Sequence, residues 1–262
     1  MDLGLRGRAA LITASSKGIG RAAAFALASE GCDVAICARG EDTLRETESE
    51  LSKLGVRVRA TVADVSKPED CRRVVEGAAD EFGRLDILVP IAGGPPPGPF
   101  DAFDDDAYKR ALELDLMSVV RLCTAAVPHM RAQRWGRIVT VQSVAIKQPL
   151  QGLVLSNTAR AGVAGFMKTL ANELAAEGIT ANTVCPGPTL TDRIRTLAED
   201  GARQGGVSFD EVIKSFEADI PMRRLGKPEE IAATVAFLSG EPAAFLTGVT
   251  VQVDGGMTRA LL

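Results

Sequence analysis

Short apolar runs rich in β-branched residues alternate along the chain with longer stretches whose apolar positions recur at helical spacing. The runs Ala9–Thr13, Asp33–Ala38, Arg57–Val62, Ile87–Ile91, Arg137–Val141, Thr180–Val184 and Val249–Val253 predict strands. The stretches Ile19–Ser29, Thr43–Leu54, Glu69–Phe82, Ala107–Met130, Asn157–Ala176 and Glu229–Leu238 predict helices, and Pro228 suits the first turn of the last one. Strand and helix in alternation imply parallel strands joined by crossovers, with helices on both faces. Ile87–Ile91 is apolar throughout, as expected of a strand covered on both sides. The expected fold class is therefore α/β, in one domain over residues 1–262.

Two stretches read as loops. Gly93–Phe100 (GGPPPGPF) cannot be helical and predicts a semi-rigid extended connection. Pro186–Pro221 is longer, with two weak helical patterns and a break at Gly205–Gly206. Both follow strands and so overhang the carboxyl edge of the sheet, where open α/β sheets bind ligands. Substrate loops are expected near residues 93–103 and 188–221, with Phe100, Phe103, Leu150, Leu153 and Leu197 as an apolar lining.

A composition of 46% hydrophobic and 24% charged residues, with a net charge of −4, is ordinary for a soluble domain and argues against nucleic acid or an anionic membrane as the main partner. Neither a signal peptide nor a membrane-length apolar run is visible. The five cysteines form no C-x-x-C pair, so no metal or redox site is expected, and a reducing, cytoplasmic compartment is. The single histidine, His129, reads as a surface residue at a helix end.

Thr13–Gly20 (TASSKGIG) follows the first strand and precedes the first helix. Gly18 and Gly20 permit a tight turn and close approach to a phosphate, on which the helix directs its N-terminal amides. This turn resembles the T-G-x-x-x-G-I-G turn of the short-chain dehydrogenases/reductases. LDIL at Leu85–Leu88, IAG at Ile91–Gly93, GRIV at Gly136–Val139, Ser143, PGPTLT at Pro186–Thr191 and VDGG at Val253–Gly256 match that family in order and spacing. The resemblance implies a three-layer Rossmann-type fold with a mainly seven-stranded parallel sheet, a nicotinamide cofactor, a small-molecule substrate and a homotetramer built through the long central helices. It also implies that Ser15, Ser16, Lys17, Gly18, Ile19, Gly20, Ala92, Gly93, Pro186, Gly187 and Thr189 line the cofactor site. In addition Asp64, with Val65, would contact the adenine, and Thr191 would hold the nicotinamide carboxamide.

The second strand ends Cys37-Ala38-Arg39, with no acid to bind a ribose 2′-hydroxyl. Arg39 and Lys17 would instead clamp a 2′-phosphate, which favours NADP(H) over NAD(H).

In the family, a tyrosine thirteen residues after the active-site serine moves a proton, a lysine four residues later assists it, and an asparagine on the preceding helix holds a water. Counting from Ser143 gives Ser156 and Arg160, and the asparagine position aligns with Asp115. An aliphatic hydroxyl is a poor general acid, and an arginine keeps its proton. Ala14 stands for the first glycine of the turn, tolerable with its backbone at negative φ, and Pro90-Ile91 stands for an asparagine pair. Asp115 and Arg160, substituted together, are expected to form a salt bridge. Lys147 and Lys168 are other candidate proton donors, and Arg131, Arg134 and Arg137 are a candidate landing surface for an acidic carrier protein.

Two functions follow. One is an NADP(H)-dependent oxidoreductase, 3-oxoacyl reductase-like, with Ser143, Ser156, Arg160 and Asp115 in a non-standard site for a carbonyl, an imine or an activated double bond. The other is a catalytically inactive dinucleotide-binding or scaffold protein.

Overall fold

A computed structural model of the chain describes residues 1–261. Its single sheet holds β1 (Ala9–Ile12), β2 (Asp33–Ala38), β3 (Val58–Val62), β4 (Ile87–Val89), β5 (Gly136–Val141), β6 (Ile179–Pro186) and β7 (Thr250–Val253). All pairings are parallel, in the spatial order β3-β2-β1-β4-β5-β6-β7. This is the seven-stranded, three-layer Rossmann-type arrangement expected.

The pleat divides the core in two. Leu11, Cys37, Leu88, Ile138 and Ala181 face α3 (Pro68–Phe82), α5 (Ser118–Gln133) and α6 (Val154–Leu174). Ile12, Ile36, Val89, Val139 and Val184 face α1 (Gly18–Ser29), α2 (Glu41–Ser52) and α9 (Pro228–Ser239). Strands apolar on both sides are thereby covered on both sides.

The strand order reverses between β1 and β4, which opens a crevice at their carboxyl ends. Thr13 spans it: its hydroxyl donates to the Ile91 carbonyl at 2.6 Å and accepts from the Ile91 amide at 2.8 Å. β4 is shorter than expected because Pro90, lacking an N–H, ends the ladder at Val89. The Pro90 carbonyl accepts instead from the Val141 amide at 3.1 Å and the Thr140 hydroxyl at 3.1 Å.

The helix expected over Ala107–Met130 is interrupted. α4 (Asp105–Leu112) leads into a π-helical turn over Glu113–Met117 and then α5. One extra residue in that turn aims Asp115 inward, a device common at functional sites. The stretch after β6 forms α7 (Asp192–Gly205) and α8 (Phe209–Ala218), separated where Gly206 takes φ 63°. Gly93–Pro99 runs without helix, Phe100 at the end of the expected loop opens a 3-10 turn over Phe100–Ala102, and the Gly98 amide bonds the Gly152 carbonyl at 2.6 Å.

Ala14 corrects one expectation: its φ is 49°, in the left-handed region, not negative. Gly20 is the reason. A Cβ there would lie 2.3 Å from the Ala14 carbonyl oxygen, so the turn is wound too tightly for an extended residue. Left-handed backbone costs an L-residue about 1 kcal/mol. Ala14→Gly is expected to raise the unfolding free energy by about 1 kcal/mol, read from urea melts; an unchanged midpoint refutes the strain.

Candidate active site

The site is assembled from strand tips. Ser143 follows β5 and caps the short turn Val144–Ile146, its Oγ accepting from the Ala145 amide at 3.1 Å. That leaves its own hydrogen to donate outward. Ser156 and Arg160 lie one turn apart on α6, and Asp115 reaches them from the π-helical turn. Close approach is allowed by Gly162, whose absent side chain leaves room for Leu116.

The expected ion pair is present: Arg160 Nη2 lies 3.3 Å from Asp115 Oδ1, with side chains 7% and 0% exposed. Arg160 Nε donates to Ser156 Oγ at 3.0 Å, Nη1 to Gln142 Oε1 at 2.9 Å, and Nη2 also to the Gly93 carbonyl at 3.4 Å. Asp115 Oδ2 is buried and takes no hydrogen bond from any of the described residues. Burial pushes the Asp115 carboxyl up to about 6, against the pull of Arg160 and of Arg193. Arg193, on α7, donates to the Pro95 carbonyl at 2.8 Å and ties that helix to the loop after β4.

Around the glycine turn, the residues expected to line a cofactor site take different parts. Gly18 (φ 55°) and Ile19 open α1, whose start at Lys17 carries no side-chain cap. Thr191 packs on Gly18, where a Cβ would lie 3.2 Å from its methyl group. Ser15 is fully buried, and its hydroxyl is spent inside the fold, donating to the Ile12 carbonyl at 3.0 Å and accepting from the Cys37 amide at 3.0 Å. It shapes the turn and presents no hydroxyl to a ligand. Ser16 is half-buried beside α2, where its carbonyl accepts from the Thr47 hydroxyl at 3.3 Å. Arg39 is exposed at the tip of β2, and Lys17 pairs with Asp192 at 3.4 Å. Asp64 Oδ1 accepts from the Ser66 hydroxyl at 2.8 Å, and Val65 beside it is buried. Ala92 is half-buried, and a Cβ on Gly93 would meet open space. Pro186 ends β6, Gly187 packs on the Asp254 backbone, and Thr189 is buried with its hydroxyl on the Gly187 carbonyl at 2.9 Å.

Other candidates lie elsewhere. Lys168 is two turns along α6 from Arg160 and donates to the Gly248 carbonyl ahead of β7, at the opposite edge of the sheet. Arg137 stacks on Trp135 at 4.2 Å with its side chain 3% exposed, and Arg131 pairs with Glu177 at 2.7 Å. Those arginines flank the start of β5, away from the crevice, so they offer no landing surface beside it. His129 Nε2 is 3.2 Å from Glu76 on α3. The sequence reading missed Gln142 and Arg193. A glutamine at the tip of a buried strand, directly before Ser143, was a readable signal; nothing marked Arg193 before α7 placed it.

Residues 13–258 match the family model described as enoyl-(acyl carrier protein) reductase. The chain is 36% identical over 255 residues to the 3-oxoacyl-[acyl-carrier-protein] reductase FabG of Salmonella typhimurium, covering 97% of this chain and 99% of that one. It is 37% identical over 247 residues to the short-chain reductase protein NovJ of Streptomyces niveus, covering 94% and 92%. The structure of L-sorbose reductase from Gluconobacter frateurii, complexed with NADPH and L-sorbose, matches at a TM-score of 0.95 and 36% identity over all of both chains. The chain belongs to the short-chain dehydrogenase/reductase family of oxidoreductases.

Asp115 gives the site a pH signature. In the folded protein it lies at about 6, above the 3.8 of an unperturbed aspartate, so the folded state binds the extra proton between them. That contribution to stability is present below the unfolded value and is lost as pH rises through about 6. Asp115→Asn is expected to lose less stability than the parent chain across this window, the gap opening by up to about 3 kcal/mol. Parallel stability–pH curves for the two proteins would refute the shift.

Proposed function

We propose that the chain is an NADP(H)-dependent oxidoreductase acting on a small carbonyl, an imine or an activated double bond, in the manner of a 3-oxoacyl reductase. The observation that carries this reading is the arrangement of strand tips. An uncapped helix N-terminus at the glycine turn stands beside an exposed Arg39, with no acid at the end of β2. The residues present fit a dinucleotide. The backbone is drawn tight at Gly20, and space is open at Gly93. Amides of Ser16, Gly18, Ile19 and Gly20 would take the diphosphate, Arg39 and Lys17 the 2′-phosphate, and Asp64 with Val65 the adenine. Thr191 would hold the carboxamide, with Ala92, Gly93, Pro186, Gly187 and Thr189 as walls. The NADPH named with the similar L-sorbose reductase supports the same choice of cofactor.

Bound in its reduced form, the nicotinamide supplies a hydride. The chain's own work is to hold the acceptor and the charge that develops on it. Ser143 and Ser156 each accept a hydrogen bond from within the protein, so each hydroxyl hydrogen is left to donate to a substrate oxygen. Arg160 places a permanent positive charge behind Ser156. A substrate needing little help with its proton suits such a site. Residues 1–262 form one catalytic domain in this reading, with the loops near 93–103 and 188–221 walling the substrate. The protein works in the cytoplasm as a homotetramer packed through α5 and α6.

Calorimetric titration with NADPH and NADH tests the cofactor. NADPH is expected to bind at least about tenfold more tightly, about 1.4 kcal/mol, and Arg39→Asp to abolish that preference. Binding of neither dinucleotide would leave the scaffold reading in its place.

A further inference from the structure

Arg160 is 6% exposed and donates to oxygens from four segments: Ser156 on α6, Gln142 at the end of β5, the Gly93 carbonyl after β4, and Asp115 on the π-helical turn. A guanidinium has five N–H groups in one plane, so four are committed and one Nη1–H remains. Gln142 is itself fixed. Arginine only donates, so the amide must present Oε1 to it, which turns Nε2 onto Thr140 Oγ1 at 2.7 Å. The Thr140 hydroxyl then donates to the Pro90 carbonyl at 3.1 Å. Flipping the amide would set donor against donor at Arg160.

We propose that Gln142 and Asp115 are positioning residues that lock the Arg160 guanidinium with Nε–H on Ser156 Oγ, and that Ser156 so held is a hydrogen-bond donor to the reacting oxygen. This rests on the oxidoreductase reading above. With one lone pair of Ser156 taken by a cationic donor, its hydrogen points away from Arg160 and is a stronger donor than that of an unassisted serine. Asp115 balances the buried charge. Such donors are fixed before reaction and act without reorganisation.

The step balances without a side-chain acid. The hydride brings its electron pair to the acceptor carbon. The π pair of the acceptor moves onto oxygen, or onto nitrogen in an imine. Ser156 hydrogen-bonds that anion and keeps its own proton. Water then supplies the proton and leaves hydroxide to the solvent.

The test uses the full chain with NADPH and an acetoacetyl thioester, as Ser156→Ala, Gln142→Leu and Gln142→Glu. Gln142→Glu keeps the acceptor for Arg160. The first readout is kcat against KM. Ser156→Ala is expected to lower kcat about a hundredfold with NADPH affinity unchanged. Gln142→Leu is expected to lower kcat about tenfold, and Gln142→Glu to recover it to within about threefold of the parent. The second readout needs no turnover. The Arg160 Nε–H resonance, assigned by its loss in Arg160→Lys, is expected to exchange slowly in the free parent protein, rapidly in Gln142→Leu, and slowly again in Gln142→Glu. Turnover that survives Ser156→Ala overturns the donor role, and rapid exchange in the parent overturns the lock. A parent protein that oxidises no NADPH, with its Nε–H still protected by Gln142, overturns the oxidoreductase reading and the donor role with it, while the lock stands on the resonance alone.

Discussion

A parallel sheet covered by helices on both faces leaves only its ends open, and the candidate site sits at one of them. The two core layers consume the side chains of every central strand, so a ligand can approach only where the backbone turns out of the sheet. At the carboxyl end those turns carry Thr13–Gly20, Arg39, Gly93, Ser143 and Pro186–Thr191. The reversal of strand order between β1 and β4 separates the turns enough to leave a crevice, and Thr13 bridges it. At the amino end the same constraint yields a structural cluster. Trp135 lies between Arg8 at 3.8 Å and Arg137 at 4.2 Å, with Glu241 accepting from its indole N–H at 2.9 Å.

Burying Arg160 among these tips imposes the next level of order. A cation out of water needs a countercharge and fixed acceptors, because leaving it unpaired costs several kcal/mol. The fold supplies Asp115 by widening one helical turn, Gln142 by placing an amide at the end of β5, and Gly93 by exposing a carbonyl where β4 has stopped. β4 stops there because Pro90 cannot donate. Pro90 and the Asp115–Arg160 pair, far apart in sequence, thus belong to one hydrogen-bonded unit through Thr140 and Gln142.

The same unit bears on chemistry. Ser156 and Ser143 are both oriented by incoming N–H donors, and the buried Asp115 carboxyl lies behind Arg160. In the proposed function such an arrangement would work by holding charge. The desolvation that raises the Asp115 carboxyl to about 6 is the cost of putting a carboxylate there, and the ion pair only partly offsets it. The tightness of the glycine turn carries a similar cost at Ala14, which is held left-handed without the freedom of a glycine.

The sequence by itself determined the sheet, its parallel sense and the edge that carries the candidate site, because hydrophobic period and turn residues are local properties that survive without neighbours. The family resemblance singled out Ser156, Arg160 and Asp115, and the paired substitution at the last two suggested that they meet. It misjudged Ala14, whose φ follows from a carbonyl pressed against Gly20, and it read Ala107–Met130 as one helix because an extra residue in a turn leaves the apolar pattern nearly intact. Ser15 looked like a ligand contact until the turn folded back and bonded its hydroxyl to Ile12 and Cys37. The direction of each Arg160 donor, and the part of Gln142 in fixing it, was decided only by tertiary structure. A buried guanidinium takes its orientation from acceptors that the chain brings together from positions 93, 115, 142 and 156, and no local pattern encodes that meeting.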